Sequence, residues 1–365
     1  MKRDWNVRAY KKGDEDKIFD LVKAVYPEKK LDKESWMKFW KWMYTECPAG
    51  KARILLADHN GKLAGQYPLI LADLKVGDKT AKVGQNIELM THPDYRKQGM
   101  FLTLEKKSLE DAAKDGIYIT IGFPNEAAYP GHIKTGWFDI CSLDIGFKPF
   151  NLKKMIQAGP QKTFKKRLYN VFGKAIVKLF YREKKTKVFD NIKISEITSF
   201  DDRIDKLWKE ISDKYKITTI RSKDFLNWRY EKIPDVNYTI FIAEENDKLQ
   251  GYIIVRCTNE GGVRIGNIYD IFTPKNRPEI AYALITKSIE FFKSKNVDMA
   301  LILMVADKDF CKLFKKKGFI FSKFIQSGFI EGGQFCAFSS HPTVPKSFLM
   351  KKENWFIQLG DSDTL

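Results

Sequence analysis

The sequence predicts a mixed α/β (α+β) protein of two tandem domains, each a mixed, mostly antiparallel sheet flanked by helices. The chain has 365 residues, and at roughly 100–200 residues per domain this length favours two domains. A hydrophobic fraction of 44% and 27 Phe residues indicate packed cores. The order of strand-like and helix-like segments in the first half is repeated in the second half, which indicates a duplicated fold.

The first domain is assigned to residues 1–147, where apolar residues alternate between strand and helix spacing. An Asn60-Gly61 pair, typical of tight hairpins, joins two of its strands. The predicted elements in chain order are a strand at 7–10, helices at 15–25 and 33–45, strands at 52–57, 63–76 and 81–91, a helix at 102–114, a strand at 117–123, a short helix through Ile133 and a closing strand near 138–145.

The second domain is assigned to residues 193–345, and its pattern repeats that of the first. The predicted elements in chain order are a helix at 202–216, a segment at 225–230, strands at 238–243, 250–257 and 262–273, a helix at 279–294, a strand at 299–305 and a helix at 308–316. Residues 148–192 are predicted to be a basic linker with an amphipathic helix between 162 and 187. Residues 346–365 are assigned to a C-terminal tail.

The most informative segment runs from Glu88 through a basic turn, Arg96-Lys97-Gln98-Gly99, into the helix at 102–114. Amides at the start of a helix have no intrahelical partner and lie at the positive end of the helix dipole. A glycine lets the backbone approach a ligand closely, and the two cations add charge. The segment therefore predicts a site for a pyrophosphate. The corresponding segment of the second domain, residues 273–280, has no glycine, and its Pro278 lacks an amide donor.

Composition and charge limit the partners, the metal or disulfide content and the location that we expect for the protein. A formal net charge of +18 suggests anionic partners, although 46 acidic residues accompany 64 basic ones. The five cysteines are scattered and lack C-x-x-C spacing, which argues against a disulfide framework and a zinc site. No apolar run follows the N-terminal charges and no segment has the length of a transmembrane helix, so we expect neither a signal peptide nor a membrane span. We expect the protein in the reducing cytoplasm.

The order of elements, with Thr91-His-Pro-Asp-Tyr-Arg-Lys-Gln-Gly-Met after the fourth strand and Gly122-Phe-Pro-Asn with Gly136-Trp-Phe after the fifth, resembles the GNAT superfamily of acyl-coenzyme A-dependent N-acyltransferases. The family motif [RQ]-x-x-G-x-[GA] matches at Arg96 and Gly99, whereas Phe101 replaces the final small residue. The resemblance implies acetyl-CoA as co-substrate, no metal, and a degenerate second domain. It implies these CoA-binding residues: Leu89, Met90, Thr91, Arg96, Lys97, Gln98, Gly99, Met100, Phe101 and Asn125.

Acyl transfer to an amine requires a base for the amine, a donor for the thioester oxygen and an acid for the leaving thiolate. The resemblance places Glu88 as the general base, directly or through water, and the amide of Met90 or Thr91 as the oxygen donor. The alternative for Glu88 is a carboxylate on the strand surface that pairs with a lysine. Tyr129 is the predicted general acid, because a phenol and an alkyl thiol have similar acidities, with a phenol pKa of ~10. His132 is an alternative to Tyr129, and His92 is interpreted as structural.

The predicted function is N-acetyl transfer from acetyl-CoA to an amine-bearing small molecule or aminosugar. The alternative is a non-catalytic CoA- or anion-binding protein that uses its basic surface. No specific nucleic acid is expected, because the lysines are not interleaved with aromatic residues as in a nucleic-acid motif. The tail carries an apolar patch at 355–357 and acids at Asp361 and Asp363. We hypothesise that it brings negative charge to the cleft of the first domain. The sequence leaves the oligomeric state and the acceptor open.

Overall fold

The computed structural model describes residues 4–151, 154, 189–305, 308–321 and 333–362. Residues 1–147 contain these elements: β1 (Asn6–Ala9), α1 (Glu15–Val25), α2 (Lys33–Thr45), β2 (Arg53–His59), β3 (Lys62–Val76), β4 (Lys79–Asn86), β5 (Met90–Thr91), α3 (Met100–Lys114), β6 (Ile119–Gly122), α4 (Tyr129–Lys134), β7 (Phe138–Ser142) and the beginning of β8 (Asp144–Pro149). The predicted amphipathic helix of the basic linker lies outside the described residues. Of the described helices, none combines the length and apolarity that a membrane crossing requires.

The later part of the chain repeats this order. Its elements are β9 (Lys193–Ile197), α5 (Arg203–Ile211), β10 (Ile217–Thr219), α6 (Lys223–Tyr230), β11 (Thr239–Glu245), β12 (Lys248–Glu260), β13 (Val263–Phe272), α7 (Pro278–Ser294), β14 (Met299–Met304), α8 (Lys308–Lys316), β15 (Ile320–Phe321), β16 (Gln334–Ser339) and α9 (Lys346–Leu349). Short 3-10 helices lie at Pro93–Tyr95, Ser212–Lys214, Lys352–Asn354 and Leu359–Asp361.

The elements form two compact units. The first unit comprises Met1–Cys141, Asp224–Val236 and Gln334–Asn354, and the second comprises the remaining residues. The main sheet order of the first unit is β1-β2-β3-β4-β6-β16-β7, and that of the second is β9-β11-β12-β13-β14-β8-β15. Most of the described strand pairs are antiparallel, whereas β4 with β6 and β13 with β14 pair in parallel. The predicted fold class is therefore confirmed: each unit is a mixed, mostly antiparallel sheet flanked by helices.

The units exchange one strand each. β16, from late in the chain, lies between β6 and β7 of the first unit, while β8, from early in the chain, lies between β14 and β15 of the second. The predicted single strand at 138–145 is therefore wrong: Leu143 separates two strands that belong to different units. The predicted boundaries at 147 and 345 remain a proposal about the duplicated sequences. The compact units differ from them by these strands and by residues 224–236, which include most of α6 and belong to the first unit.

The first unit packs its core on both sides of β3. A cluster that includes Tyr67, Leu69, Met100 and Leu104 is almost inaccessible to solvent. Away from this cluster, Trp42 of α2 and Trp228 of α6 stack with ring centroids 4.8 Å apart. Each indole N–H donates to the other residue's carbonyl, at 2.7 and 3.0 Å, so α6 is fixed to α2 although 186 residues separate them.

The tail belongs to the second unit from Trp355 onward, and its described part ends at Ser362. Its Asp361 side chain is 2% exposed and lies 3.0 Å from the guanidinium of Arg221, which is also buried. The hypothesis that Asp361 brings charge to a cleft of the first domain is therefore wrong, because its charge is paired inside the second unit. Asp363 lies outside the described residues.

Candidate functional site

The predicted fourth strand, 81–91, is interrupted. Asn86 faces Leu69 on β3, and Met90 faces Gln66. Four steps along one strand thus match three along the other, which is a β-bulge over residues 87–89. The prediction of a continuous strand is wrong at this point, and the interruption separates β4 from β5.

Pro68 explains the position of the bulge. It lies on β3 opposite the interruption and has no N–H to donate to its neighbour. Its carbonyl instead accepts from the Asn86 side chain at 3.2 Å and from the Ile87 amide at 3.5 Å. Glu88, in the bulge, has a φ of +42°, which is uncommon for a residue with a side chain. Such backbone strain concentrates at functional sites.

A gap opens beside the bulge. The parallel pairing of β4 with β6 begins at Val83 opposite Ile119 and ends at Asn86 opposite Gly122. Past this point β5 pairs with β3. We call the space between residues 89–91 and 122–125 the first strand gap. Since the pairing of β4 with β6 ends at Asn86 and Gly122, the backbone groups beyond it are suited to an extended ligand with amide groups.

The ladder geometry indicates which amide faces the first strand gap. The His92 N–H donates to the Ala64 carbonyl of β3 at 2.8 Å. Hydrogen-bonded and non-hydrogen-bonded pairs alternate along antiparallel strands, so the N–H of Thr91 points away from β3 and toward the gap. Met90 has the opposite orientation, and its side chain is 3% exposed. Of the two predicted oxygen donors, Thr91 therefore has the suitable geometry.

The basic loop follows β5. Arg96, Lys97, Gln98 and Gly99 are all exposed to solvent. Lys97 and Gly99 adopt left-handed conformations, with φ values of +62° and +72°. A Cβ added at Gly99 would meet no atom within 4 Å, so the backbone conformation favours glycine here and the space beside it is open.

Helix α3 begins directly after this loop, at Met100. The Gly99 carbonyl accepts from the Thr103 amide at 3.1 Å and from the Thr103 hydroxyl at 3.0 Å. Gly99 supplies no side-chain cap, and the amides of residues 100–102 precede the first intrahelical hydrogen bond. A basic, solvent-accessible helix N-terminus of this kind is suited to a phosphate group.

The side chain of Phe101 packs against α4. Its ring lies against Gly131 of α4, where a Cβ would approach the ring to 2.5 Å, and its centroid is 5.2 Å from that of His132. The bulky residue is accommodated because the facing position is a glycine. Met100 is 2% exposed and packs in the core, so only its backbone is available to a ligand.

A buried polar network connects α3 with α4. The Glu105 carboxylate is inaccessible and accepts from Tyr67 at 2.9 Å, and it also contacts His132 Nδ1 and the Thr135 hydroxyl. His132 is 1% exposed. Its burial and its contact with Glu105 favour a structural role for His132 over the alternative role of general acid. Glu105 was not predicted, although a carboxylate on the apolar face of α3, next to Leu104, was a visible signal.

Glu88 lies among tyrosines. Its carboxylate accepts from the Tyr44 hydroxyl at 2.7 Å, and its carbonyl accepts from the Gln66 side chain at 3.0 Å. Burial raises the pKa of Tyr26, and the charge of Glu88 raises it further, which indicates that the two groups are close. Tyr44, Gln66 and Tyr26 were not identified from sequence, because they come from elements distant in the chain.

Tyr129 is the first residue of α4 and is partly buried against the cluster of Leu109, Trp137 and Cys336. Desolvation raises the pKa of its phenol, and the nearby Asp139 raises it further. The Asn125 side chain accepts from the Ala128 amide at 2.9 Å. Asn125 thus shapes the turn before Tyr129, and its side chain serves the fold.

The second unit differs at the corresponding loop. Pro278 occupies the first turn of α7, where it supplies no amide donor. Arg277 lies 3.1 Å from the carboxylate of Glu245 and also contacts Glu279, so its charge is neutralised within the protein. Across the described residues, no group of histidines, cysteines and carboxylates has the arrangement of a metal site.

Part of the sequence, and the fold of the chain, are similar to those of known proteins. A sequence model for the family described as acetyltransferase (GNAT) domain matches residues 6–138. A GCN5-related N-acetyltransferase from Anabaena variabilis ATCC 29413 is similar in structure, with 13% identity and a TM-score of 0.63 over 91% of this chain and 72% of that chain. No curated protein sequence matches the chain.

Two further solved structures are similar. A conserved protein of unknown function from Enterococcus faecalis V583, called a probable N-acyltransferase, has 15% identity and a TM-score of 0.62 over 91% of this chain and 72% of that chain. N-myristoyltransferase from Saccharomyces cerevisiae, solved with bound myristoyl-CoA, has 14% identity and a TM-score of 0.55 over 93% of this chain and 80% of that chain. At these identities the structures show a shared fold.

Proposed function

We propose, from the premise that residues 6–138 belong to the GNAT acetyltransferase family, that the protein is an N-acetyltransferase acting on an amine with acetyl-CoA as donor. The observation that carries the proposal is the adjacency of the first strand gap and the basic N-terminus of α3. Pairing of β4 with β6 ends at Asn86 and Gly122, and the exposed loop Arg96–Gly99 follows a few residues later. The proposal places the reaction in the cytoplasm, where acyl-CoA thioesters are available.

The donor is proposed to bind along this path. Arg96, Lys97, Gln98 and the amides of residues 99–101 hold the pyrophosphate, because they combine positive charge with unpartnered N–H groups. The pantetheine arm lies in the first strand gap, with Leu89 on one side and the backbone of Asn125 at the end of the other. Met100 and Phe101 contribute their amides, since their side chains pack within the unit.

The reaction forms a C–N bond and breaks a C–S bond. Glu88 removes a proton from the acceptor ammonium, directly or through water, and the free amine attacks the thioester carbonyl. The amide of Thr91 donates to the oxygen on which negative charge develops. Tyr129 donates its proton to the departing thiolate. Because the pKa of this phenol is raised, Tyr129 is protonated at neutral pH and has a proton to donate.

The surroundings of Glu88 support an acceptor of a particular kind. Glu88 is exposed, Tyr44 donates to it, and Tyr26 lies close by. A carboxylate between aromatic rings is suited to a cationic amine, by charge and by the faces of the rings. An amine-bearing small molecule or an aminosugar is therefore the proposed acceptor.

The test combines binding with turnover. Calorimetry with acetyl-CoA is followed by a screen of amines and aminosugars in which release of the CoA thiol is measured. Longer donors, including myristoyl-CoA, are tested in parallel, because that ligand occupies a structure of the same fold. Saturable acetyl-CoA binding and acceptor-dependent thiol release are expected. Absence of acyl-CoA binding for every donor would contradict the proposed function.

A further inference from the structure

The second unit contains a counterpart of the first strand gap. Its parallel strands, β13 and β14, pair from Ile265 opposite Met299 to Ile268 opposite Ile302. Directly afterwards the register of β13 against β12 shifts at Tyr269, which is again a bulge. We call the space between residues 270–272 and 303–305 the second strand gap. It occupies the same place in the topology as the first.

The C-terminal tail occupies the second strand gap. On one side, the Val305 amide donates to the Ile357 carbonyl at 2.8 Å. On the other side, the Gln358 side chain accepts from the Ile271 amide and donates to the Ile271 carbonyl, both at 3.0 Å. The Gln358 side chain thus forms with Ile271 of β13 the two hydrogen bonds that a neighbouring strand would form.

A buried ion pair fixes the far end of this segment. Arg221 is inaccessible to solvent and lies 3.1 Å from Asp270 of β13 and 3.0 Å from Asp361 of the tail. Asp361 also accepts from the Gln358 backbone amide at 2.9 Å, and the Gln358 side chain donates to Asp270 at 2.6 Å. Tail and gap therefore share one continuous polar network, in which each acid has a donor.

Apolar contacts complete the fit. Trp355, Phe356, Ile357 and Leu359 are each at most 4% exposed. Phe356 lies with its ring centroid 4.4 Å from that of Tyr215, and its amide donates to the Ile217 carbonyl at 2.8 Å. Burial of apolar side chains is the main favourable contribution to association, so the segment has both the sequence and the contacts of a peptide ligand.

We propose that the second strand gap is a peptide-binding site whose ligand is residues 355–362 of this chain, and that this occupant closes the gap to acyl-CoA. The chain consequently has a single acyl-CoA site. In the second unit a segment of the protein thus lies where the first unit is proposed to hold the pantetheine arm.

Retention of a severed tail tests the peptide site. A recognition sequence for a specific protease is inserted between Met350 and Lys351, both exposed, and the folded full-length chain is cut there. Matched chains carry Gln358→Leu, which removes the side-chain hydrogen bonds to Ile271 and Asp270, or Glu353→Gln, a control at an exposed position. Mass spectrometry after gel filtration measures the tail that remains bound.

The cut wild-type chain and the Glu353→Gln chain are expected to retain the tail, and Gln358→Leu is expected to release it at least tenfold faster. Loss of the wild-type tail on cutting, or equal release from all three chains, would overturn the proposal. Hydrogen exchange on the unsubstituted chain is independent of any variant. The amides of Ile271 and Val305 are expected to stay protected before and after cutting, and rapid exchange in the intact chain would also overturn it.

Acetyl-CoA titration tests the closure. Calorimetry on the intact chain is expected to give a stoichiometry of one, and the chain carrying Arg96→Ala with Gly99→Glu is expected to bind roughly a hundredfold more weakly. A stoichiometry of two in the intact chain would show that the second gap accepts acyl-CoA with the tail in place, and this part of the proposal would be wrong. Absence of binding to the wild-type chain would contradict the proposed function of the first unit, while the retention experiment would still decide the peptide site.

Discussion

The two strand gaps arise from the same backbone event and have opposite surroundings. In each unit a bulge ends the pairing of the two parallel strands. Beside the first gap lies an exposed loop with Arg96 and Gly99. Beside the second, Arg277 is neutralised by glutamates and the tail fills the opening. The two gaps therefore differ in the residues beside them rather than in the strands that form them. These neighbouring residues decide whether a strand gap is suited to a ligand or is filled as part of the core.

The largest expected effect comes from breaking the filled gap. Arg221→Met leaves the buried carboxylates of Asp270 and Asp361 without their counter-ion, which should destabilise the second unit by about 3–5 kcal/mol. Hydrogen exchange of β13 peptides across a urea series measures the loss. The matched change in the first unit is Arg8→Met, where the arginine side chain is 23% exposed beside Asp14 and an effect of about 1 kcal/mol is expected. Equal losses of stability in the two variants would show that burial of the ion pair does not determine the size of the effect.

The next effect is expected at the open gap. Arg96→Ala with Gly99→Glu removes a cation and places a side chain and a negative charge at the helix start, so acetyl-CoA binding should weaken by about 3 kcal/mol, or roughly a hundredfold in Kd. Asn276→Ala, in the corresponding loop of the second unit, should leave the Kd unchanged. Calorimetry measures both. An unaltered Kd in the double variant would show that the basic loop does not hold the pyrophosphate.

A smaller effect separates binding from chemistry in the first unit. Tyr129→Phe should lower kcat by about a hundredfold with little change in acetyl-CoA affinity. Glu88→Gln should lower the rate mainly at low pH, where the acceptor amine is protonated and needs a base. Rates of thiol release across pH check both variants. Profiles identical to wild type would mean that the acceptor's own deprotonation and the backbone carry the reaction.

The smallest effect is a pH dependence confined to the second unit. Burial raises the pKa of Asp270 to about 6, against the lowering by Arg221. The charge of Asp361 raises this pKa further, while Tyr252 and Gln358 donate hydrogen bonds to this carboxyl. Because the folded pKa lies above the unfolded value, the folded state takes up a proton first as the pH falls from about 7 to 4. The free energy of unfolding should therefore rise by about 1–3 kcal/mol over this window.

Hydrogen exchange of β13 peptides at several pH values, with urea unfolding at each, measures this dependence. Asp270→Asn cannot titrate and should flatten the response. Peptides of β3 in the first unit provide the internal reference. If the stability of β13 falls on acidification in the wild-type chain, the sign of the assignment is wrong.

Much of the fold was predictable because it depends on local sequence. The bounds predicted for three helices agree with the structure, Glu15–Val25, Lys33–Thr45 and Lys308–Lys316, since their apolar periodicity and polar ends are local signals. The hairpin at Asn60-Gly61 is confirmed, with both residues at positive φ. The basic loop was also predictable, because its charged residues, its glycine and the following helix are adjacent in the sequence.

The remaining features depend on contacts between distant segments. Pro68 lies in the middle of a strand and signalled the bulge opposite it, but a single sequence does not show which residues lie opposite. The partners of Glu88 come from α2 and β3. The position of the tail depends on Arg221, whose sequence neighbours carry no indication that two acids, at 270 and 361, surround it. Local patterns carry no information about such pairings.

Because the units exchange strands, the sheet of the first unit cannot be completed until late in translation. Gly122 of β6 pairs with Cys336 of β16, and at ~5–20 residues per second the roughly 200 residues between them take about 10–40 s to translate. Throughout that interval the edges of β6 and β7 are unpaired, and an open strand edge is a template for association with other chains. The nascent first unit should therefore be the stage most exposed to misassembly and most dependent on chaperones, until residues 334–339 leave the ribosome and complete its sheet.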